Sequence, residues 1–114
     1  MSQTFTMQVV NNSNDQLENV LVIHCCNENI SPIYLGTLGP QVKSDPVDCT
    51  TYDGHNDYYL MQFVRNGNVW QANCYCNSDS GSVWVVVELS PNAYNILYND
   101  TNCTNKSYDY NTTT

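Results

Sequence analysis

Positive charge is scarce in this sequence. Lysine and arginine number only 3 (Lys43, Arg65 and Lys106) against 11 acidic residues, which gives the 114-residue chain a net charge of −8. Nucleic acids and anionic lipid surfaces are bound largely through basic side chains, so the composition predicts no nucleic-acid partner and favours a neutral one. Only 12% of the residues are charged, so uncharged hydrogen-bonding groups must dominate the surface.

Helical periodicity and long apolar runs are missing as well. No apolar stretch is long enough to span a membrane, and the first residues lack the basic cluster and apolar run of a secretory signal. Apolar residues come instead in short runs with a period near two, which is typical of strands. We therefore predict an all-β chain: a single antiparallel β-sandwich of about seven or eight short strands, cross-linked by disulfides.

Three segments carry the clearest strand signals. Leu17 to Cys26 contains a Val-Leu-Val-Ile core that is apolar on both faces, which predicts a central strand covered on both sides or a strand lying between a sheet face and a packed loop. Asp57 to Arg65 and Val69 to Cys76 flank an Asn-Gly-Asn turn, and Asn-Gly between apolar runs is a strong hairpin signal. Ser82 to Leu89 is rich in β-branched residues and predicts another central strand.

The chain ends in a polar stretch. Residues 100–114 have no apolar stripe, so we expect the sandwich domain to span residues 1–99 and the remainder to form a C-terminal tail. Cys103, if bonded, would tie this tail to the body.

Cysteine is abundant for a chain of this size. The six cysteines are Cys25, Cys26, Cys49, Cys74, Cys76 and Cys103. An even set in a small chain favours disulfides and, with them, a secreted or extracellular location. Two alternatives stay open: a mixture of disulfides and free buried thiols, and a metal site, which the adjacent and one-apart spacings suit poorly. The connectivity is not fixed by spacing.

One loop concentrates polar and aromatic side chains. The candidate binding residues are Tyr52, Asp53, His55, Asn56, Asp57 and Tyr58, with Trp70 from the next strand. Carboxylates and amides can bond vicinal hydroxyls while an aromatic ring stacks on a sugar, so the cluster suits a neutral glycan. The competing interpretation is that Asp and Asn build turns here while the tyrosines alternate into the core. Calcium is a weaker option, because no bidentate acid follows at the required spacing.

Catalytic constellations are not evident. His24 and His55 are the two histidines, and His24 beside Cys25 lies in a strand, where a structural histidine is more common than a thiol-activating base. The acidic residues show no apolar pocket that would raise a carboxyl pKa, and glycine-rich phosphate loops are missing. We predict that the protein is not an enzyme and uses no cofactor or metal.

The order of several short motifs gives a family resemblance. The motifs are Val9–Ser13, Leu17–His24, Leu35–Pro40, Asp53–Tyr59, and Gly67–Trp70 followed by Cys76-Asn77. Together they resemble a family of small β-sandwich proteins of nematodes and fungi, named after nematode proteins up-regulated in long-lived mutants. The resemblance implies the fold and no known activity. The chain departs from the family pattern at Tyr59, where the family often has Trp, and in its extra cysteines.

A looser likeness is to aegerolysins and actinoporins, which bind membrane lipids, and to fungal fruit-body lectins. The leading hypothesis is a non-catalytic recognition protein of a fungal or secreted defence type, lectin-like or receptor-binding, whose partner is a neutral glycan or a protein surface. The alternatives are a toxin-like protein that binds membrane lipid, and a robust extracellular or storage protein with no small ligand. The oligomeric state is left open.

Overall fold

The computed structural model describes residues 2–52, 54–76, 84–90 and 93–99, together with the backbone of three short strands between residues 101 and 113. The strands are β1 (Ser2–Asn11), β2 (Leu17–Cys26), β3 (Asn29–Leu38), β4 (Val47–Tyr52), β5 (Asp57–Arg65), β6 (Asn68–Tyr75), β7 (Trp84–Leu89), β8 (Ala93–Tyr98), β9 (Thr101–Asn102), β10 (Tyr108–Asp109) and β11 (Asn111–Thr113).

The strands form two sheets, which confirms the predicted all-β, sandwich-like fold. Sheet A has the order β10-β8-β7-β1-β4, with β9 also paired to β8, and sheet B has the order β11-β6-β5-β2-β3. One pair departs from the predicted antiparallel arrangement, because β1 runs parallel to β7. The strands predicted to be central occupy such positions: β2 lies between β3 and β5, and β7 lies between β1 and β8.

Alternation of side chains explains why these segments pair as they do. Along β5, buried and partly buried residues alternate at every position from Asp57 to Arg65, as expected for a strand with one face on a core. The β5–β6 hairpin is confirmed, and its turn has Asn66 and Gly67 at φ of 52° and 79°. Two positive φ values are what a tight two-residue hairpin turn requires.

The core between the sheets is apolar over most of its length. Its largest members include Phe5, Met7, Leu17, Met61, Phe63, Leu89 and Ile96, all 2% exposed or less. Polar side chains are confined to the two ends of this interior. At one end, Asn11 donates from Nδ2 to the carbonyls of Leu38 and Gly39, both at 3.0 Å, and accepts from the Ser13 hydroxyl at 2.6 Å.

The predicted disulfide framework is not supported by the structure. Cys25, Cys26, Cys49 and Cys74 are free thiols. The pleat explains part of this: Cys25 and Cys26 are adjacent on β2, so Cys25 faces outward while Cys26 is buried in the interior. Cys76 is disulfide-bonded, and Cys103 lies outside the described residues. Free thiols at four positions also weaken the argument for secretion, which rested on the cysteine count.

The sheets extend into the segment that was expected to be a tail. β10 pairs with β8 through Tyr108 and Asp109, and β11 pairs with β6 through Asn111 to Thr113. Polar composition predicted a loose end, but the backbone of an edge strand can be paired by residues of any polarity, because the ladder bonds are main-chain bonds.

Candidate functional site

The loop predicted to bind a ligand is divided between surface and interior. His55 and Asn56 are exposed, and the His55 ring meets Tyr52 edge-on with centroids 6.1 Å apart. Tyr52 is partly buried, and its hydroxyl accepts a hydrogen bond from the Asn29 amide at 2.9 Å. Asp53 lies outside the described residues. The loop therefore offers a few polar groups at one end of the sandwich.

Asp57 is not a surface residue. It is only 1% exposed, and its Oδ1 accepts hydrogen bonds from His24 Nε2 at 2.8 Å and from the Thr51 hydroxyl at 2.7 Å. The pairing with a carboxylate identifies Nε2 as the protonated nitrogen of His24. Asp57, which was predicted to contact a ligand, instead joins β2 and β5 of sheet B to β4 of sheet A.

The order of these groups does not fit nucleophilic catalysis. In a catalytic triad the imidazole stands between the nucleophile and the carboxylate and takes the nucleophile's proton. Here the carboxylate of Asp57 stands in the middle, and the Thr51 hydroxyl bonds to it rather than to His24. The other ring nitrogen of His24, Nδ1, is buried and has no hydrogen-bond partner among the described residues. The cluster is an interior polar network.

Tyrosines continue this polar network across the interior. The Tyr59 hydroxyl donates to that of Tyr98, and Tyr98 donates to the Cys76 carbonyl at 2.5 Å. Burial is the main reason that the pKa of both phenols lies above its ordinary value. Cys49 shares this end of the interior, and burial raises the pKa of its thiol to about 12. All three groups stay protonated at neutral pH.

Trp70 is placed against the core rather than free for a ligand. It is partly buried against the main apolar cluster, and the Arg65 guanidinium lies over its ring at 4.3 Å from the centroid. This cation–π contact covers one ring face of a residue that was predicted to stack on a sugar.

A surface that the sequence did not single out is the outer face of sheet B. Side chains pointing away from the core form four rows across β3, β2, β5 and β6, as the strand register shows, and the fourth of them, Thr37, Glu18, Val64 and Val69, includes the exposed carboxylate of Glu18. The first row is Ile30, Cys25, Tyr58 and Tyr75; the second is Pro32, Ile23, Leu60 and Asn73; the third is Tyr34, Leu21, Gln62 and Gln71. None of the residues in the first three rows is charged.

The aromatic residues of the outer face are the most prominent. Tyr34 and Tyr75 are each 68% exposed and Ile30 is 67% exposed. Tyr58 and Tyr75 stand side by side with ring centroids 5.1 Å apart and planes inclined by 58°. Amide side chains lie on the same face, at Asn73 in the second row and at Gln62 and Gln71 in the third. Rings, alkyl groups and amides thus share the three uncharged rows of this surface.

The outer face of sheet A differs in chemistry. Its outward positions include opposed threonines, Thr4 and Thr50, and carboxylates at Asp48 and Glu88. Mixed hydroxyls and charges are what a solvent-exposed sheet face normally carries. What distinguishes the outer face of sheet B is its strongly exposed aromatic and aliphatic side chains, Tyr34, Tyr75 and Ile30.

Comparison of the chain with protein-family models and with curated proteins gives no match. The family resemblance drawn from the short motifs therefore stays a prediction. Among the described residues, no group of three or more His, Cys, Asp or Glu side chains is placed to hold a metal ion. The described part of the chain also contains no helix that is long and apolar enough to cross a membrane.

Proposed function

We propose that this chain is a non-catalytic recognition protein that binds a neutral glycan on the outer face of sheet B. The observation that carries the proposal is the combination of exposed rings at Tyr34 and Tyr75, the partly exposed ring of Tyr58 and amides on the same face, in three rows that contain no charged residue. Sugar rings present C–H groups to aromatic faces and hydroxyls to amides, so both halves of such a ligand find partners on this face.

The three most exposed apolar side chains of this face offer an area that a small or chain-like ligand can cover. A tyrosine can bury roughly 150–250 Å², so Tyr34, Tyr75 and Ile30, each about two thirds exposed, offer roughly 400 Å² together. The patch matches in size the largest apolar patches of monomeric proteins, which are often functional.

The same area predicts a weak interaction. At about 25 cal/mol per Å², burying the patch yields roughly 10 kcal/mol before costs. Association itself costs about 4 kcal/mol or more, which leaves at most about 6 kcal/mol and a dissociation constant of about 40 μM or weaker. Useful retention would then come from many sites on one polymer, as multivalent binding allows.

Charge supports a neutral ligand in particular. The chain carries a net charge of −8, so an acidic polysaccharide would be repelled. Neither Lys43 nor Arg65, the basic residues within the described part of the chain, belongs to the three rows.

Binding should be tested by co-sedimentation with insoluble neutral polysaccharides, with Tyr75→Ala as the main variant. Removing a ring that offers more than 100 Å² should weaken retention roughly tenfold to a hundredfold. Tyr52→Ala is the matched aromatic control, since Tyr52 belongs to the loop at the sandwich end and not to the face. We expect Tyr52→Ala to bind as the wild type does.

Three outcomes would contradict the proposal. If Tyr52→Ala reduces retention on the polysaccharide more than Tyr75→Ala does, the binding site lies on the loop at the sandwich end and not on the outer face. Sedimentation with neutral lipid vesicles but with no polysaccharide would indicate a lipid-binding face instead. Dimerisation that Tyr75→Ala abolishes would identify a second copy of the chain as the occupant.

A further inference from the structure

The first row of the outer face lies over the most polar part of the interior. Its three central members are Cys25, Tyr58 and Tyr75, on β2, β5 and β6. The residues directly before and after each of them along the chain face inward. In all three strands, at least one of these inward-facing neighbours makes a polar contact across the interior. The second row shares two of these polar neighbours, because Ile23 precedes His24 and Leu60 follows Tyr59, whereas the third row lies over apolar residues, namely Val20, Val22, Ile33, Met61, Phe63 and Ala72.

Four polar contacts connect the backbone of the first row to sheet A. Asp57, before Tyr58, accepts from Thr51 on β4 at 2.7 Å. Tyr59, after Tyr58, bonds to Tyr98 on β8. Cys26, after Cys25, receives the main-chain N–H of Tyr52 at its sulfur at 3.3 Å. Cys76, after Tyr75, accepts the Tyr98 hydroxyl through its carbonyl at 2.5 Å.

A fifth bond ties two strands of the first row to each other. The Cys76 N–H donates to the Asp57 carbonyl at 3.0 Å, just beyond the end of the β5–β6 ladder. Strand ends open more readily than strand centres. This bond therefore holds Tyr58 and Tyr75 opposite each other at the point where the pairing would otherwise be weakest.

Stability alone does not explain why the buried polar groups lie beneath the first row. Buried polar networks seldom stabilise a fold more than well-packed apolar residues do, and the third row is supported by apolar residues. Hydrogen bonds hold the groups that they join in a defined geometry, because each bond fixes an angle and a distance. A binding surface gains affinity when its contact groups are already held in the bound geometry.

We propose that this interior network holds the first row ready for its ligand, so that Thr51, Asp57 and Tyr98 are positioning residues for glycan binding although none of them lies on the outer face. The inference rests on the proposed function for its ligand. The claim about the geometry of Tyr58 and Tyr75 stands independently of any ligand, and can be measured without one.

The test compares the loss of one buried hydroxyl at each end of the sandwich. Thr51→Val keeps the side-chain shape and removes the donor to Asp57. Ser13→Ala is the control, because it removes a buried hydroxyl whose bond to Asn11 is 2.6 Å long at the opposite end of the core. Thr51→Ser should restore the bond, and Tyr98→Phe is a second variant should Thr51→Val fail to fold.

Two readouts are needed on each folded variant. The first is the set of ring-proton chemical shifts and nuclear Overhauser contacts between Tyr58 and Tyr75 without ligand. We expect Thr51→Val to change them and Ser13→Ala to leave them as in the wild type. The second is polysaccharide retention, which Thr51→Val should weaken by up to about tenfold, the equivalent of one hydrogen bond, while Thr51→Ser recovers it.

The inference is overturned if the ring contacts respond equally to Thr51→Val and Ser13→Ala, or to neither. It is also overturned if Thr51→Val alters the rings and retention is unchanged. A wild type that binds no polysaccharide removes the proposed function, and the ring contacts then still decide whether the network positions the first row.

Discussion

Asp57→Ala should be among the most damaging single substitutions in this chain. Asp57 is 1% exposed and accepts hydrogen bonds from His24 and Thr51 at 2.8 and 2.7 Å. Hydrogen bonds to a charged group contribute about 1.5–3 kcal/mol each. Removing the carboxylate also takes away the acceptor of the buried His24 Nε2, and breaking a buried pair in this way typically costs about 3–5 kcal/mol.

That cost is large against the free energy of unfolding of an ordinary domain, about 5–15 kcal/mol. The measurement is urea denaturation followed by tryptophan fluorescence and circular dichroism. With a denaturant slope of about 2 kcal/mol per M, a loss of about 4 kcal/mol lowers the midpoint by about 2 M.

Two matched variants distinguish the contribution of the Asp57 carboxylate to stability from that of the loop beside it. Asn56→Ala changes an exposed neighbour and should shift the free energy of unfolding by no more than about 0.5 kcal/mol. Asp57→Asn keeps an oxygen in place of Oδ1 and should fall between the two. If Asp57→Ala were as mild as Asn56→Ala, the carboxylate would not be the interior acceptor described above.

Two further predictions concern pH and the hairpin turn. Burial raises the pKa of the Cys49 thiol from 9.0 to about 12. Between these two pH values the folded state therefore keeps a proton that the unfolded chain releases. The free energy of unfolding should be unaffected by this group below pH 9 and should fall as the pH rises toward 12, by up to about 4 kcal/mol. Cys49→Ser should flatten this part of the profile in denaturation curves recorded under reducing conditions, and an unchanged slope would contradict it. Gly67→Ala should cost about 1 kcal/mol in thermal unfolding because Gly67 has φ of +79°, whereas Gly39→Ala, whose added Cβ would meet only the Val42 Cγ2 at 3.5 Å, should cost less.

Local patterns predicted the elements that depend on neighbouring residues. The alternation in β5, the Asn66-Gly67 turn and the central position of β2 all follow from short-range signals that the structure confirms. The parallel pairing of β1 with β7 could not be read in this way. It joins Thr6 to Trp84 and so depends on contacts between distant parts of the chain.

The role of Asp57 was missed for a similar reason. In sequence it belongs to a run of turn-forming residues, and an isolated aspartate in such a run is normally exposed. Its burial depends on His24, which is 33 residues away along the chain. A histidine in one strand and an acid at the start of another give no spacing signal, because nothing in either segment specifies that they meet.

The apolar run of β2 is the strongest sequence signal for the outer face of sheet B, although it predicted a strand that is covered on both sides. Val20 to Ile23 is apolar at every position. The structure places Val20 and Val22 in the core, while Leu21 and Ile23 point to the outer face of sheet B. A sheet face exposed to solvent normally carries polar side chains at such positions, and threonine would keep the strand propensity of isoleucine there. Failure of the apolar–polar alternation on a central strand is therefore the feature of the sequence that corresponds to the apolar outer face of sheet B, on which the proposed glycan site depends.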